Sequence, residues 1–212
     1  MTALQLRSSN SGPPHFLYAR SRFYPYVQRS VDVVVAFFVL LASSPVLFVA
    51  ALLISLEDGG PVLFRQRRVG RYGRLFTIYK FRTMRVSSCG DAPSPTGNGD
   101  ARITKVGAFL RKTSIDELPQ LFNVLEGTMS LVGPRPEQAF LVRQYEAWQH
   151  LRLLVKPGVT GLWQIRCRST VPLHKPEATV HDLEYVNAAS PLADGKILVG
   201  TIRAVFSSQG AY

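Results

Sequence analysis

Two adjacent acidic residues, Asp116 and Glu117, lie in the densest polar stretch of the chain, RKTSIDELPQ at residues 111–120. An ionised carboxylate can attack phosphorus or bind magnesium, and nearby cations favour its ionised form. A structural role is also open. Ser114 and Glu117 have the spacing of a helix capping box, and Asp116 as the cap would suit a helix containing Pro119. Capping and catalysis are compatible, so both interpretations are kept.

A second candidate is the arginine of GPRP at residues 133–136, where Arg135 lies between Pro134 and Pro136. Both prolines have a fixed φ, so the backbone that presents the guanidinium is stiff. A planar guanidinium on a rigid loop suits bidentate contact with a phosphate. The alternative is a proline-rich turn whose arginine is solvated.

Two further cations alternate with apolar residues in YKFRTM at residues 79–84. On a β-strand, Lys80 and Arg82 would point to one face, because side chains alternate along a strand. Two cations on one face suit a diphosphate. The alternative is that they form the solvated face of an edge strand.

The elements that position these residues begin with an apolar stretch at residues 33–54, which has no charged side chain. As a straight helix it would be roughly 33 Å long, enough to cross a bilayer. Pro45 near its middle predicts a kink, because proline removes a helical hydrogen bond. The hydroxyls of Ser43 and Ser44 can supply partners to the backbone groups that the kink frees.

Basic residues flank the apolar stretch on both sides. Arg20, Arg22 and Arg29 precede it, and Arg65, Arg67, Arg68, Arg71 and Arg74 follow it. Positive flanks mark the cytoplasmic side of a membrane, so a helix that crossed it would put one cluster on the wrong side. We therefore favour a re-entrant helix that enters and leaves by the same face. A kinked spanning helix and a buried core helix are the alternatives.

The composition of the chain limits the classes of molecule that it is expected to bind. The net charge of +11 points to anionic lipids, nucleotide phosphates or nucleic acid. Nucleic acid alone explains the charge poorly, because it does not require the apolar stretch, so no nucleic-acid partner is expected. The two cysteines are too few for a disulfide framework and suit a reducing compartment.

The fold class predicted from these patterns is α+β. A re-entrant membrane helix precedes a small, mostly helical cytosolic domain with short strands and amphipathic interfacial helices. We expect a poorly ordered or interfacial segment at residues 1–28, the membrane helix at 29–58 and the catalytic domain at 59–212. Within that domain we predict strands at 62–64 and 75–79 around a turn at 70–73, a strand or helix start at 103–110, and helices at 119–126, 136–154, near 181–187 and at 197–206.

Taken in order, these stretches resemble the monotopic phosphoglycosyl transferases, bacterial enzymes that move a sugar phosphate from a nucleotide-diphosphate sugar to a polyprenyl phosphate. The resemblance covers roughly residues 29–212. The pieces that carry it are Ser44-Pro45 in the apolar stretch, YKFRTM at 79–84, ITKVGAFLRKTSIDELPQLFNVLEGTMSLVGPRP at 103–136, KPGVTGLWQI at 156–165, Asp182 with Tyr185, and GAY at 210–212. Each piece is weak alone, whereas the ordered set is specific.

The resemblance implies a ping-pong mechanism in which Asp116 is the nucleophile and Glu117 helps to hold Mg²⁺ or to position groups. Both carboxylates are the expected magnesium ligands. The residues it implies for substrate binding are Lys80, Arg82, Arg111, Pro134, Arg135, Gln164 and Asp182. Ser44 and Pro45 would shape the membrane hairpin.

The expected partners are a UDP-sugar, polyprenyl (undecaprenyl) phosphate and the anionic lipids of the bacterial inner membrane, with the catalytic domain on the cytoplasmic face. Homo-oligomerisation is compatible with the sequence. GLWQ and GAY resemble the branch that starts exopolysaccharide or O-antigen repeats with glucose- or galactose-1-phosphate, and the chain as a whole resembles the short form of that branch. Cys167 stands where that branch usually has glycine, and other departures follow up to residue 190. A catalytically silent membrane scaffold is therefore the alternative function.

Overall fold

The longest element of the structure is the helix α1 (Tyr24–Asp58). The structure is a computed structural model, and it describes residues 22–85, 100–167, 171, 173 and 175–206. Its 35 residues are about 52 Å long at the usual rise per residue. Its most apolar window has a mean hydropathy of 2.6, and only 11% of that window is buried. A buried core helix is therefore the wrong interpretation of the apolar stretch.

The proline in the middle of α1 is accommodated by the serines before it. Pro45 has no N–H for the carbonyl of Leu41, and the hydroxyl of Ser44 donates to that carbonyl at 2.8 Å. The hydroxyl of Ser43 donates to the carbonyl of Val39 at 2.6 Å. Ser44 therefore supplies a partner to the carbonyl that Pro45 frees, as predicted, whereas Ser43 bonds a carbonyl that the proline does not free. The helix continues on both sides of Pro45, and its predicted kink and re-entrant course stay predictions.

The boundaries of α1 differ slightly from the expected ones. The helix begins at Tyr24, five residues before the predicted start at 29, and it ends at Asp58 as expected. Gly59 stops it in the left-handed conformation, with φ of 66°. Residues 1–21 of the predicted N-terminal segment, and the GAY residues 210–212, lie outside the described residues.

The predicted strand pair is confirmed and is longer than expected. β1 (Leu63–Val69) and β2 (Leu75–Phe81) are antiparallel, with Leu63 opposite Phe81 and Val69 opposite Leu75. The turn between them, Arg71–Gly73, reverses the chain through two left-handed residues, Tyr72 and Gly73. A glycine tolerates this conformation without steric cost, which explains its place there.

The rest of the described chain is mostly short helices around a second, parallel strand pair. In order they are α2 (Lys105–Thr113), a 3₁₀ turn (Ile115–Glu117), α3 (Gln120–Glu126), β3 (Ser130–Val132), α4 (Ala139–Val142), a 3₁₀ helix (Ala147–Leu154), β4 (Gly158–Thr160), α5 (Leu162–Arg166), α6 (Pro176–Ala188) and α7 (Pro191–Phe206). The predicted helices at 119–126, near 181–187 and at 197–206 correspond to α3, α6 and α7. The ambiguous stretch at 103–110 is mainly helix α2.

One helix prediction is wrong. Residues 136–154 were expected to form a single helix, but the structure divides them into α4 and the 3₁₀ helix. Glu146 is extended, with ψ of 158°, and its side chain and that of Gln149 cap the new helix reciprocally. This capping box restarts the chain in a new direction, so the apolar spacing does not belong to one helical face.

The core lies where α1, α3, β3 and α6 meet. Ala36, Val124 and Met129 are completely buried there, and Tyr185 is 2% exposed. A second cluster joins the C-terminal half of α1 to α2 and β2. Both halves of α1 thus pack against the domain that follows it.

The parallel strands β3 and β4 approach each other closely at two glycines. A Cβ atom on Gly158 would lie 2.1 Å from the backbone nitrogen of Gly133, and one on Gly133 would lie 2.4 Å from the carbonyl oxygen of Lys156. Backbone atoms cannot move aside as a flexible side chain can. The two glycines therefore set the distance between the loop at residues 133–136 and β4.

Replacing Gly158 with alanine should lower the free energy of unfolding by about 1–3 kcal/mol, because the new methyl group overpacks rigid backbone. At about 2–4 °C per kcal/mol, the melting temperature should fall measurably. Gly195→Ala is the matched control, since nothing lies within 4 Å of its added Cβ in helix α7. That variant should be as stable as the parent or more so. Equal melting temperatures for the two variants would contradict the close approach.

Candidate active site

The two carboxylates share a single 3₁₀ turn between α2 and α3. Ser114, just before it, has a left-handed backbone with φ of 58° and ends α2. Neither capping interpretation holds: the Ser114 and Asp116 side chains cap no helix, and α3 begins after Pro119. The left-handed residue turns the chain sharply, and a non-glycine residue in this conformation is strained, as is common at functional sites.

Glu117 is held by two cations from other elements. Lys80 Nζ, on β2, donates to Oε1 of Glu117 at 3.0 Å. The Arg135 guanidinium, from the loop after β3, donates to Oε1 at 2.5 Å and to Oε2 at 3.2 Å. All three side chains are less than one-fifth exposed. The fold thus brings together the acidic pair, GPRP and the lysine of YKFRTM, which the sequence singled out separately.

Asp116 is more deeply buried and has an unusual pKa. Burial, and then the negative charge of Glu117, raise its pKa to about 6, against the lowering effect of Lys80, Arg111 and Arg135. The expectation that nearby cations would simply keep this carboxylate ionised is therefore incomplete, because desolvation has the larger effect.

Arg111 completes the group of three cations around the carboxylates. It lies in the last turn of α2, and its Nε donates to the hydroxyl of Thr83 at 2.8 Å. Burial lowers its pKa, and the charge of Asp116 opposes this change. Thr83 lies just after β2, so this hydrogen bond connects α2 to the end of the strand that carries Lys80.

Arg82 faces elsewhere, contrary to the expectation that it shares a face with Lys80. Its guanidinium forms an ion pair with Asp58 at the end of α1, and its backbone N–H donates to the carbonyl of Val62 at 2.9 Å. β2 ends at Phe81, so strand alternation does not extend to residue 82. Arg82 therefore joins α1 to the end of β2, and its binding of substrate remains only a prediction.

The other predicted site residues have contacts within the protein. Gln164 Nε2 donates to the carbonyl of Val159 at 3.0 Å, so this side chain braces the turn into α5. The carbonyl of Pro134 accepts from the N–H of Gly158 at 2.9 Å. Asp182 is 1% exposed and pairs with Arg152 at 2.6 Å. Direct substrate contact by these three residues stays a prediction.

Arg152 was not among the candidates that the sequence indicated. In the helix expected at 136–154 it was one polar residue among several, and nothing in its spacing distinguished it. In the structure it is 2% exposed and donates to the carbonyl of Arg135 at 2.7 Å. Only the meeting of distant segments reveals that it touches the loop of GPRP.

The carboxylates fit a magnesium ion in part. Mg²⁺ commonly takes one or two protein carboxylates and completes its octahedron with water and substrate phosphates. Asp116 and Glu117 supply those two groups, and within the described ranges no set of three or more His, Cys, Asp or Glu side chains forms a fuller cage. Burial, and then the charge of Glu117, raise the pKa of Asp116, and a divalent cation would favour its ionised form. The two carboxylates are compatible with Mg²⁺ that is also bound to a phosphate substrate, and magnesium binding stays a prediction.

Fold and site together define an α+β chain in which a long apolar helix lies near a buried carboxylate, a second, partly buried carboxylate and three cations. A family model described as bacterial sugar transferase matches residues 23–208, so the chain belongs to that family. This agrees with the resemblance drawn from the motifs.

Relatives with stated activities extend the comparison. The chain is 46% identical over 170 residues to "Galactosyl transferase CpsE" of Streptococcus agalactiae, covering 73% of this chain and 37% of that protein. It is 44% identical to "UDP-glucose:undecaprenyl-phosphate glucose-1-phosphate transferase" of Escherichia coli, covering 88% and 41%. It is 39% identical to "Exopolysaccharide production protein ExoY" of Sinorhizobium fredii, covering 87% and 88%. The chain thus spans less than half the length of the first two relatives and most of the third.

The pKa of Asp116 predicts a pH-dependent cost of folding. Its value in the folded chain, about 6, lies above the ordinary 3.8, so folding favours the protonated form. Without divalent metal, the contribution of Asp116 to the free energy of unfolding should be fully present below about pH 4. It should be lost as the pH rises through about 6. Asp116→Asn should remove this loss and raise the melting temperature at pH 7.5.

Thermal melting in EDTA at pH 5 and pH 7.5 measures this effect. Each kcal/mol regained should add about 2–4 °C. Glu126→Gln, at an exposed carboxylate on α3, serves as the control and should change neither value. An Asp116→Asn variant that melts below the parent at pH 7.5 would show that the surrounding cations, and not burial, dominate.

Proposed function

We propose that this chain transfers a sugar-1-phosphate, from UDP-glucose or UDP-galactose, to polyprenyl (undecaprenyl) phosphate and releases UMP. The observation that carries the proposal is the pair formed by buried Asp116 and partly buried Glu117, surrounded by Lys80, Arg111 and Arg135 near an apolar helix. A carboxylate can attack phosphorus, and the cations suit the charges of a diphosphate. The activities named for the relatives support this reaction class.

In the first half-reaction, a carboxylate oxygen of Asp116 attacks the β-phosphorus of the UDP-sugar. The bond from that phosphorus to the bridging oxygen breaks, and UMP leaves with the electron pair. Asp116 is then an acyl phosphate that carries the sugar. Arg135 and Lys80, now paired with Glu117, are within reach to contact the diphosphate and stabilise the charge that develops.

In the second half-reaction, a phosphate oxygen of the polyprenyl phosphate attacks the same phosphorus and Asp116 leaves as a carboxylate. A magnesium ion bound to Asp116 and Glu117 would neutralise phosphate charge and stabilise the leaving group. The low exposure of Asp116, 8%, supports protection of the acyl phosphate from water.

The contacts of α1 support a membrane association in which both ends of the helix face the cytoplasm. Near its start, Arg29 donates to the carbonyls of Val124 and Leu125 at 2.5 and 2.7 Å. At its end, Glu57 accepts from the N–H of Lys105 at 2.7 Å. Both ends thus bind one domain, whereas the ends of a spanning helix lie on opposite sides of a core about 30 Å thick.

The middle of α1 is the part left for lipid. Between Ala36 and Ala50 no residue of the helix is buried, and Phe38, Leu41 and Phe48 are at least 60% exposed. With the basic flanks, this pattern supports re-entrant insertion into the bacterial inner membrane from the cytoplasmic face, with anionic lipids around the flanks. The catalytic domain would begin after Asp58.

A covalent adduct is the sharpest test of the mechanism. With UDP-glucose or UDP-galactose, Mg²⁺ and no polyprenyl phosphate, the protein should gain the mass of one phosphosugar on the peptide that contains Asp116. Asp116→Asn should lose both the adduct and the burst of UMP, because it removes the nucleophilic charge. Asp116→Glu should also be nearly inactive, since in-line attack tolerates little displacement. Glu117→Gln should be impaired and form the adduct slowly.

The outcomes distinguish the mechanisms. An adduct on Glu117 would reverse the two roles, and product without an adduct would replace the ping-pong scheme by direct transfer. A folded protein that releases no UMP from any UDP-sugar, at saturating Mg²⁺ and polyprenyl phosphate, would instead be the membrane scaffold.

Topology is tested by labelling single cysteines. In a chain whose Cys89 and Cys167 are replaced by serine, Arg22→Cys and Tyr72→Cys lie on opposite sides of the apolar stretch, and both positions are exposed. An impermeant maleimide should label both from the cytoplasmic side of inverted vesicles and neither in intact spheroplasts. Labelling of Arg22→Cys in spheroplasts would establish a spanning helix.

A further inference from the structure

The loop that presents Arg135 is held at four successive carbonyl groups. From Pro134 to Glu137, the donors to these carbonyls are the N–H of Gly158 (2.9 Å), the guanidinium of Arg152 (2.7 Å), the guanidinium of Arg68 (3.3 Å) and the N–H of Val69 (2.9 Å). Prolines have no N–H to hold a loop in place. The carbonyl contacts therefore do most to fix the backbone here, and two of the four donors are arginine side chains.

Arg152 is a deeply buried donor. It is 2% exposed, and besides the carbonyl of Arg135 it contacts the hydroxyl of Tyr145 at 2.5 Å. A guanidinium so deeply buried requires a counter-ion, and Asp182 supplies it at 2.6 Å. Asp182 is itself 1% exposed, so the ion pair lies inside the protein.

A chain of contacts therefore runs from helix α6 to the carboxylates. Asp182 holds Arg152, Arg152 holds the backbone of Arg135, and the guanidinium of Arg135 meets both oxygens of Glu117. A bidentate contact needs both N–O distances to be short at once. A displacement of about 1 Å in the loop would break one of them, and such displacements typically cost a large factor in rate.

We propose that Arg152 and Asp182 are positioning residues of the transfer reaction, which fix the backbone of Arg135 so that its guanidinium is aimed at Glu117 and the donor phosphate. Asp182 acts through Arg152 and touches no substrate, in contrast to the substrate-binding role that the family resemblance implies for it. This inference rests on the proposed function and adds to it the residues that set the direction of Arg135.

A double-mutant cycle separates positioning from direct contact. Initial rates of UMP release are measured for the full chain in detergent, with the UDP-sugar varied and polyprenyl phosphate present. Asp182→Asn and Arg152→Lys should each lower kcat/KM for the UDP-sugar about ten-fold, as expected for one lost charge-assisted contact. The KM for polyprenyl phosphate should stay unchanged. In an Arg135→Ala background, Asp182→Asn should cause no further loss, because its effect passes through Arg135.

Two results would contradict the positioning role of Asp182 and Arg152. The same ten-fold loss from Asp182→Asn in both backgrounds would mean that Asp182 acts on the substrate or on another group. Full activity of Asp182→Asn in the parent chain would mean that the pair positions nothing that matters for the reaction. Either result overturns the inference.

A variant without the buried charges serves as the control for correct folding. A buried arginine that loses its counter-ion destabilises a fold, whereas replacing both partners by apolar residues is often neutral. Arg152→Met with Asp182→Leu should therefore melt near the parent temperature. It still lacks the donor to the carbonyl of Arg135, so it should show the same ten-fold loss in kcat/KM. A folded double variant with parent activity would overturn the proposal.

A second ion pair on α6 is the matched control. Glu184 pairs with Arg166 at 2.5 Å, and both side chains are nearly half exposed. Glu184→Gln should leave the kinetics unchanged.

The affinity for UMP is a second measurement on the same set of variants. It should show the same non-additivity of Asp182→Asn with Arg135→Ala. A parent chain that binds UMP but releases none from UDP-sugars would contradict the proposed function. The UMP affinities of the variants would still test the role of Arg152 and Asp182.

Discussion

The clamp of Lys80 and Arg135 on Glu117 is the interaction on which the site depends. Adjacent carboxylates repel each other, and burial makes their charges still less favourable. The fold compensates with cations taken from three separate elements: β2, α2 and the loop after β3. Each of these three elements must therefore be held accurately in place.

Helix α1 is the common anchor of those elements. Arg29 holds the C-terminal carbonyls of α3, and Asp32 accepts from the N–H of Leu131 at 2.9 Å in β3. At the other end, Glu57 caps the first turn of α2, and Asp58 pairs with Arg82 after β2. The helix proposed to enter the lipid is thus bonded to α2, to β3 and to the end of β2, the elements around the candidate site, so its depth in a membrane would set the depth of that site.

Particular residues show how much the sequence determined. The spacing of apolar residues, the turn glycines and Pro45 with its serines predicted α1, the strand pair, α3 and α7, because these depend on contacts within a few residues. The motifs also singled out Asp116, Glu117, Lys80 and Arg135, although only the family resemblance assigned them to one site. These side chains were recognisable because rigid prolines and paired charges are unusual wherever they occur.

Only the tertiary structure decided which partners those groups have. Arg82 is two residues from Lys80, yet it pairs with Asp58, because β2 ends between them. Asp182 and Arg152 meet across 30 positions of sequence, and their pairing depends on how α6 packs against the 3₁₀ helix. The pKa of Asp116 likewise follows from burial, which no local pattern encodes. Long-range packing sets these properties because it alone determines which charges lose water and which counter-ions replace it.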